Sequence, residues 1–284
     1  MFATPRAIRS GCGSRMMSTY AARSDVGLQR SHNEDRFCAD PGLGLYLICD
    51  GMGGCNAGEV ASGIAAEVIH RHLADTSRGD ELPFVGEYDP NFLLPTNRLA
   101  SAVRLANQVI YRESWRRPEC AGMGTTVVSV LLTDCILSVA HVGDSRAYLI
   151  RDGAMQLLTA DHSLVRDHVR RGLLSEEEAE RSSRKHVLTR ALGVESTVEV
   201  ELGEVPVMSE DIVLLCSDGL TNGVASDEVL QAVRRGNPPD VAAERLIGLA
   251  NDAGGNDNTT VIVVVLHEGL RFTLWRRIRQ WLWS

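Results

Sequence analysis

The sequence has no run approaching the roughly 18 apolar residues of a membrane-crossing helix, so a helical membrane span is excluded. Lysine is nearly absent: Lys185 stands alone and arginine carries the remaining positive charge, a pattern we attribute to codon bias. Cysteine pairs at metal-ligand spacing are missing. The seven cysteines, Cys12, Cys38, Cys49, Cys55, Cys120, Cys135 and Cys216, are odd in number and irregularly spaced, with no C-x-x-C. That argues against a disulfide framework and against a zinc site. Cys38, Cys49, Cys135 and Cys216 lie within apolar runs and are expected to be inert buried thiols, which fits a reducing, cytoplasmic setting. Acid is missing from both tails. Residues 1–23 and 271–284 each hold four arginines and no Asp or Glu, so the net charge of −8 leaves −16 on the body between them. A body so acidic disfavours nucleic acid as a partner and suits cation binding.

What the chain does have is strand-like apolar runs that meet aspartate. Leu45–Cys49 runs into Asp50-Gly51-Met52-Gly53-Gly54, Ile136–Val142 into Gly143-Asp144, and Ile212–Ser217 into Asp218-Gly219. Asp257-Asn258 stands just ahead of Val261–Leu266. If these strands share a sheet system, four carboxylates converge, and clustered carboxylates call for a divalent cation. Asp152-Gly153 serves as a control. Between Arg146–Arg151 and Ala154–Leu158 it reads as a two-residue hairpin turn and nothing more. Asp50-Gly51 differs because further glycines and a helical pattern follow it.

Val60, Ala61, Ile64, Ala65, Val68, Ile69 and Leu73 form the buried stripe of a helix over 57–73, and Leu99, Val103, Ala106 and Ile110 mark a second, ended before Pro118. Residues 77–96, with Pro83, Pro90 and Pro95, read as a long loop. Residues 161–193 are polar and helix-prone, carry a capping-box pattern at Ser175-x-x-Glu178, and read as a flap. Strands are expected at Val198–Leu202 and Thr259–Leu266. A helix is expected from Ser226, with Arg234 and Arg235 in its last turn, and another over Val241–Asn251. Many antiparallel strands with a few long helices imply an α+β fold. One domain spans 17–268, between a tail over 1–16 and a second over 269–284. Residues 1–16 have a transit-peptide-like composition, but a disordered tail, or a true start at Met16 or Met17, is the simpler reading.

The blocks recur in a meaningful order. They are Ser24-Asp25-x-Gly27-x-x-Arg30-x-x-Asn33-Glu34-Asp35, Asp50-Gly51-Met52-Gly53-Gly54, Gly122-Met123-Gly124-Thr125-Thr126, Val142-Gly143-Asp144-Ser145-Arg146, Thr189-Arg190-Ala191-Leu192-Gly193, Ser217-Asp218-Gly219-Leu220 and Asn256-Asp257-Asn258. Together they closely resemble the bacterial branch of the metal-dependent serine/threonine protein phosphatases, the PPM or type 2C family, over roughly residues 18–267. The resemblance implies a central β-sandwich of two antiparallel sheets flanked by pairs of α-helices. It also implies hydrolysis of phosphoserine and phosphothreonine by a metal-activated water, without a covalent intermediate. In that reading Asp50 bridges two divalent cations, manganese or magnesium, and the Gly51 carbonyl adds a ligand. Asp218 and Asp257 complete one shell, Glu34 or Asp35 lies on the other side, and Asp144 with Asp218 holds a third, weaker cation. Arg30 grips the substrate phosphate, bidentate as lysine cannot be. Many eukaryotic members place a histidine where Met52 stands; methionine donates no proton, so a metal-bound water, His162 or His186 is the candidate general acid.

The implied partners are phosphorylated proteins, including a serine/threonine kinase, on which a monomeric enzyme acts. A second class is a catalytically weak relative that binds or senses a partner; intact Asp50, Asp218 and Asp257 favour the enzyme. Beyond the resemblance, Leu274, Trp275, Ile278, Trp281 and Leu282 share one helical face of residues 271–284, with Arg276, Arg277 and Arg279 elsewhere. That pattern suits a membrane-surface contact, a partner-docking helix, or packing back on the body.

Overall fold

In the computed structural model the described residues are 16–268 except 55–56, 80–81, 183, 185 and 235. The tails expected over 1–16 and 269–284 therefore lie outside them, except that Met16 opens the first strand. The described strands are β1 (Met16–Asp25), β2 (Asp35–Asp40), β3 (Leu45–Met52), β4 (Gly124–Thr125), β5 (Val127–Thr133), β6 (Ile136–Val142), β7 (Arg146–Arg151), β8 (Ala154–Leu157), β9 (Glu201–Pro206), β10 (Ile212–Cys216) and β11 (Thr259–Glu268). The helices are α1 (Ala57–Ser77), α2 (Leu94–Arg116), α3 (Leu164–Arg170), α4 (Glu176–Arg181), α5 (Asp218–Thr221), α6 (Ser226–Ala232) and α7 (Pro239–Asp252). One antiparallel sheet runs β1-β11-β10-β7-β8 and the other β2-β3-β5-β6-β9, with β4 beside β3.

Period-two alternation builds the layers. On β3, Leu45, Leu47 and Cys49 pack outward under α1 and α2, while Tyr46 and Ile48 face the other sheet. On β10, Leu214 and Cys216 pack under α6 and α7, while Val213 and Leu215 point between the sheets. Val128, Val130, Ile262 and Val264 complete that inter-sheet core. The architecture is thus helix, sheet, sheet, helix, as an α+β sandwich requires. On α1 the i, i+4 row Ala57, Ala61, Ala65, Ile69 and Leu73 is buried, and Val60, Ile64 and Val68 flank it half-buried. Pro95 opens α2 in its first turn, where a missing N–H costs nothing. Asp152 and Gly153 both take positive φ, 51° and 78°, as the predicted hairpin turn demands.

Two expectations shift. The strand expected at Val198–Leu202 lies instead at Glu201–Pro206, pairing with β6 at the sheet edge. Gly203 and Pro206 read as breakers, but an edge strand tolerates both. Helix α6 stops at Ala232, so Arg234 lies beyond its last turn. Among the described residues Cys38, Cys49, Cys120 and Cys216 are free thiols. Among the described residues no helix is long and apolar enough to cross a membrane.

Candidate active site

The inter-sheet core turns polar at one end, and the site is that polar end. Following Tyr46 and Ile48 by the same alternation, the next β3 residue on that face is Asp50. Asp35, first in β2, is its direct cross-strand partner. Ser217 follows Val213 and Leu215, and its hydroxyl donates to Asp35 Oδ2 at 2.8 Å. Thr126 precedes Val128 and Val130. Its Oγ1 accepts the Asp50 N–H at 3.0 Å, and its N–H donates to the Asp50 carbonyl at 2.8 Å. The strands thus end in a ring of oxygen donors.

Loops bring in the rest. Asp144 lies in the tight β6–β7 turn, where Gly143 has φ 115° and any Cβ would press on Thr126. Asp218 is the first residue of α5, directly after β10, and Asn222 Nδ2 donates to its Oδ2 at 2.9 Å. Asp257 precedes β11 and accepts from Arg30 Nη2 at 2.8 Å. Glu34 is held by its backbone: its N–H donates to Asn258 Oδ1 at 2.8 Å, and its carbonyl accepts from Gly51 N–H at 3.2 Å and Ser62 Oγ at 2.6 Å. Arg30, Glu34, Asp50, Gly51, Asp144, His186, Asp218 and Asp257 line one cleft of about 580 Å³, with Met52 on its wall.

Asp35 is not on the cleft surface. It is 2% exposed beneath it, and its Oδ1 is buried with no partner. Burial first, then the neighbouring carboxylates, raise it to about 6. Asp144 rises to about 7, again by burial and then by Asp218. Asp50 is pushed well above the usual carboxylate range by burial and by Asp35, Asp218, Asp144 and Asp257. Burial also raises Glu34. So much negative charge at one point is unstable unless protons or cations occupy it.

The donor set fits divalent cations. It is all oxygen, the ligand chemistry that suits magnesium and manganese. An orphaned buried carboxylate oxygen on Asp35 and a five-carboxylate cluster point the same way. Gly51 has no room for a Cβ, which would overlap the Gly58 carbonyl of α1, so the backbone itself lies at the cleft floor.

Of the two candidate acids, the structure brings only His186 to the cleft, with Nδ1 3.9 Å from Asp218 Oδ2. His162 is buried elsewhere. Its Nδ1 accepts the Gly143 N–H at 3.1 Å and its Nε2 meets Glu201 Oε2 at 2.9 Å. An accepting Nδ1 leaves the proton on Nε2, so His162 donates to Glu201. His141, His162 and Glu201 do bring ligand atoms within 4.8 Å of one another. The committed Nε2 proton makes this cluster a structural hydrogen-bonded group, one that pins the Gly143-Asp144 turn. Sequence reasoning assigned no role to Asn258, Ser217 and Thr126. All three sit inside the quoted blocks, but single neutral polar residues there read as turn formers.

Residues 28–238 match the family Protein phosphatase 2C. The serine/threonine phosphatase stp of Listeria monocytogenes is 38% identical over 245 residues, covering 85% of this chain and 93% of the relative. The serine/threonine protein phosphatase PstP of Mycobacterium tuberculosis is 39% identical over 246 residues, 86% of this chain and 44% of the longer relative. The crystal structure of the PstP catalytic domain in complex with two manganese ions superposes with a TM-score of 0.75 at 36% identity, over 89% of this chain and 99% of that one. Asp257 lies beyond the family match, yet the fold carries it to the same cleft as Asp50 and Asp218. With its sandwich, its carboxylate cleft and these relatives in agreement, this chain belongs to the protein phosphatase 2C family.

Proposed function

We infer that the chain is a metal-dependent serine/threonine protein phosphatase whose cleft hydrolyses phosphoserine and phosphothreonine. The observation that carries the site assignment is the convergence of Asp35, Asp50, Asp144, Asp218 and Asp257 from separate strand ends, with one arginine at the rim. Asp50, the Gly51 carbonyl, Asp218 and Asp257 are the residues proposed to hold two divalent cations, manganese or magnesium. Glu34 and the buried Asp35 flank them, and Asp144 is offered with Asp218 to a third. When bound, the cations supply Lewis acidity and lower the pKa of a coordinated water toward ~7.

The chain's own residues do the rest. Arg30 is half-exposed, and its pair with Asp257 is correspondingly weak, about 0–1 kcal/mol. Its guanidinium can therefore turn to substrate phosphate, where bidentate contacts are stronger. Gly51, packed on Gly58, keeps the floor rigid. Thr126 fixes the Asp50 backbone from both its N–H and its carbonyl. His186, on the wall, is the side chain we assign to protonating the departing serine or threonine oxygen. The substrate class is phosphorylated proteins, and an autophosphorylating serine/threonine kinase is the first substrate to try.

The test is phosphate release from a phosphothreonine peptide, with manganese and with chelator, in the wild type and in Asp218→Ala. Release should require both the metal and Asp218. Full turnover by folded Asp218→Ala would overturn the metal assignment. No release from folded, metal-loaded wild type would leave a partner-binding module in place of the enzyme.

A further inference from the structure

A second groove of about 570 Å³ opens at the other end of the sandwich, between the β7–β8 turn, the β9–β10 connection and α6. Ile212, at its floor, starts β10, and Asp218 in the catalytic cleft follows the end of that strand. A five-residue strand separates the two by roughly 17 Å, so this groove is not part of the active site. Ile150 and Ile212 are buried beneath it, Leu230 is half-buried, and Met208 is 53% exposed. Its rim is acidic. Arg151 is held by Asp211 at 2.6 Å, and Asp152 and Asp227 outnumber Arg234.

The position of the chain's exit selects the occupant. Strand β11 ends on the wall of this groove: Leu266 exchanges backbone bonds with Glu210 and Asp211, at 2.7 and 2.9 Å, and Glu268 N–H donates to Ser209 Oγ at 3.3 Å. The sequence then continues through two residues into 271–284, which carry four arginines, three tryptophans and no acid. In helical form that segment is about 21 Å long. An apolar, acid-rimmed groove beside its root matches both halves of its character.

We propose that the groove lined by Met208, Leu230, Asp152 and Asp227 receives this chain's own basic, tryptophan-rich C-terminal segment, residues 271–284. The apolar positions Leu274, Trp275, Ile278, Trp281 and Leu282 cover Met208 and Leu230, and the arginines meet the acidic rim. Docking is intramolecular, so its effective concentration is high even if the contact is weak.

Tryptophan fluorescence of the full chain tests this, because Trp115 is the only tryptophan outside the segment and is 75% exposed. In a Trp115→Phe background the emission reports the segment alone. The expected result is a blue-shifted emission, shielded from acrylamide. It should turn red-shifted and severalfold more quenchable in Met208→Glu/Leu230→Glu, and also in the charge reversal Asp152→Lys/Asp227→Lys. Unchanged manganese-dependent phosphate release shows that both variants remain folded. A segment already solvent-exposed in the parent, or insensitive to both double variants, overturns the proposal. So does a blue shift that appears only on adding phosphatidylglycerol vesicles, which would make a membrane surface the occupant.

Discussion

Arg30 and His186 are the residues whose chemistry the cleft leaves most open to test. Arg30 lends its guanidinium to Asp257 in the free protein, a bond that raises the arginine's pKa and keeps it charged. Its value to the enzyme lies in phosphate binding, made equally with ground state and transition state. Arg30→Ala should therefore raise KM tenfold or more, the scale of one charge-assisted contact of ~1.5–3 kcal/mol, with little change in kcat. Steady-state kinetics on a phosphothreonine peptide decide it, and an unchanged KM would move the phosphate anchor elsewhere. A different pattern is expected of His186. A serine or threonine oxygen leaves poorly without a proton, whereas p-nitrophenolate leaves well unaided. His186→Gln should lower kcat on the phosphopeptide by about 10²-fold, the lower end for general acid catalysis, and leave p-nitrophenyl phosphate hydrolysis nearly intact. Equal losses on both substrates would assign His186 a structural role.

Among the elements, the contact of α1 with β3 governs the site. Gly58, in the first turn of α1, lies so close that a Cβ would sit 2.7 Å from the Gly51 carbonyl carbon and 2.8 Å from Glu34 Cδ. Gly58→Ala must push the helix away from the cleft floor. We expect a loss of about 1–3 kcal/mol in stability, typical of overpacking, together with a higher manganese concentration for half-maximal activity. Chemical denaturation and a metal titration measure the two, and a variant normal in both would show that the close approach has no role. This contact also marks the limit of what the sequence discloses. The strand ends bearing Asp50, Asp218 and Asp257 are legible from apolar runs and their turns, as is the stripe of α1. The order of the motif blocks makes the sandwich expected. What local pattern does not disclose is the pairing that sets Asp35 opposite Asp50, or Asn258 bridging to Glu34 across 224 positions of sequence. Helix α5, four residues long, falls below any window of periodicity, yet it aims Asp218. Strand β9 is displaced from its expected place because its glycine and proline matter less at an edge than in a sheet's interior.

At the scale of the whole molecule, the cleft ties stability to pH and to cations. Asp35 at about 6, Asp144 at about 7 and Asp50 well above the usual range all hold protons in the fold that an unfolded chain releases near 4. A raised folded pKa gives stability that is complete below the unfolded value and is lost as pH climbs through the folded one. His141 has the opposite sign. Burial lowers it to about 4, and neither ring nitrogen has a partner, so its contribution is present above 6.5 and is lost as pH falls toward 4. The two effects oppose each other between 4 and 6.5, but from 6.5 to 8 the carboxylates act without His141. In chelator, Tm should therefore fall as pH rises from 6.5 to 8. Cations bind the ionised carboxylates in competition with protons, so their affinity grows over the same interval. Saturating manganese adds about 2.7 kcal/mol at a hundredfold excess over Kd, and the added stability should be larger at pH 8 than at 6.5. Thermal melts with chelator and with manganese at both pH values test the coupling. A chelated Tm that stays level or rises from 6.5 to 8 would mean that the carboxylates are not held together as the cleft geometry requires.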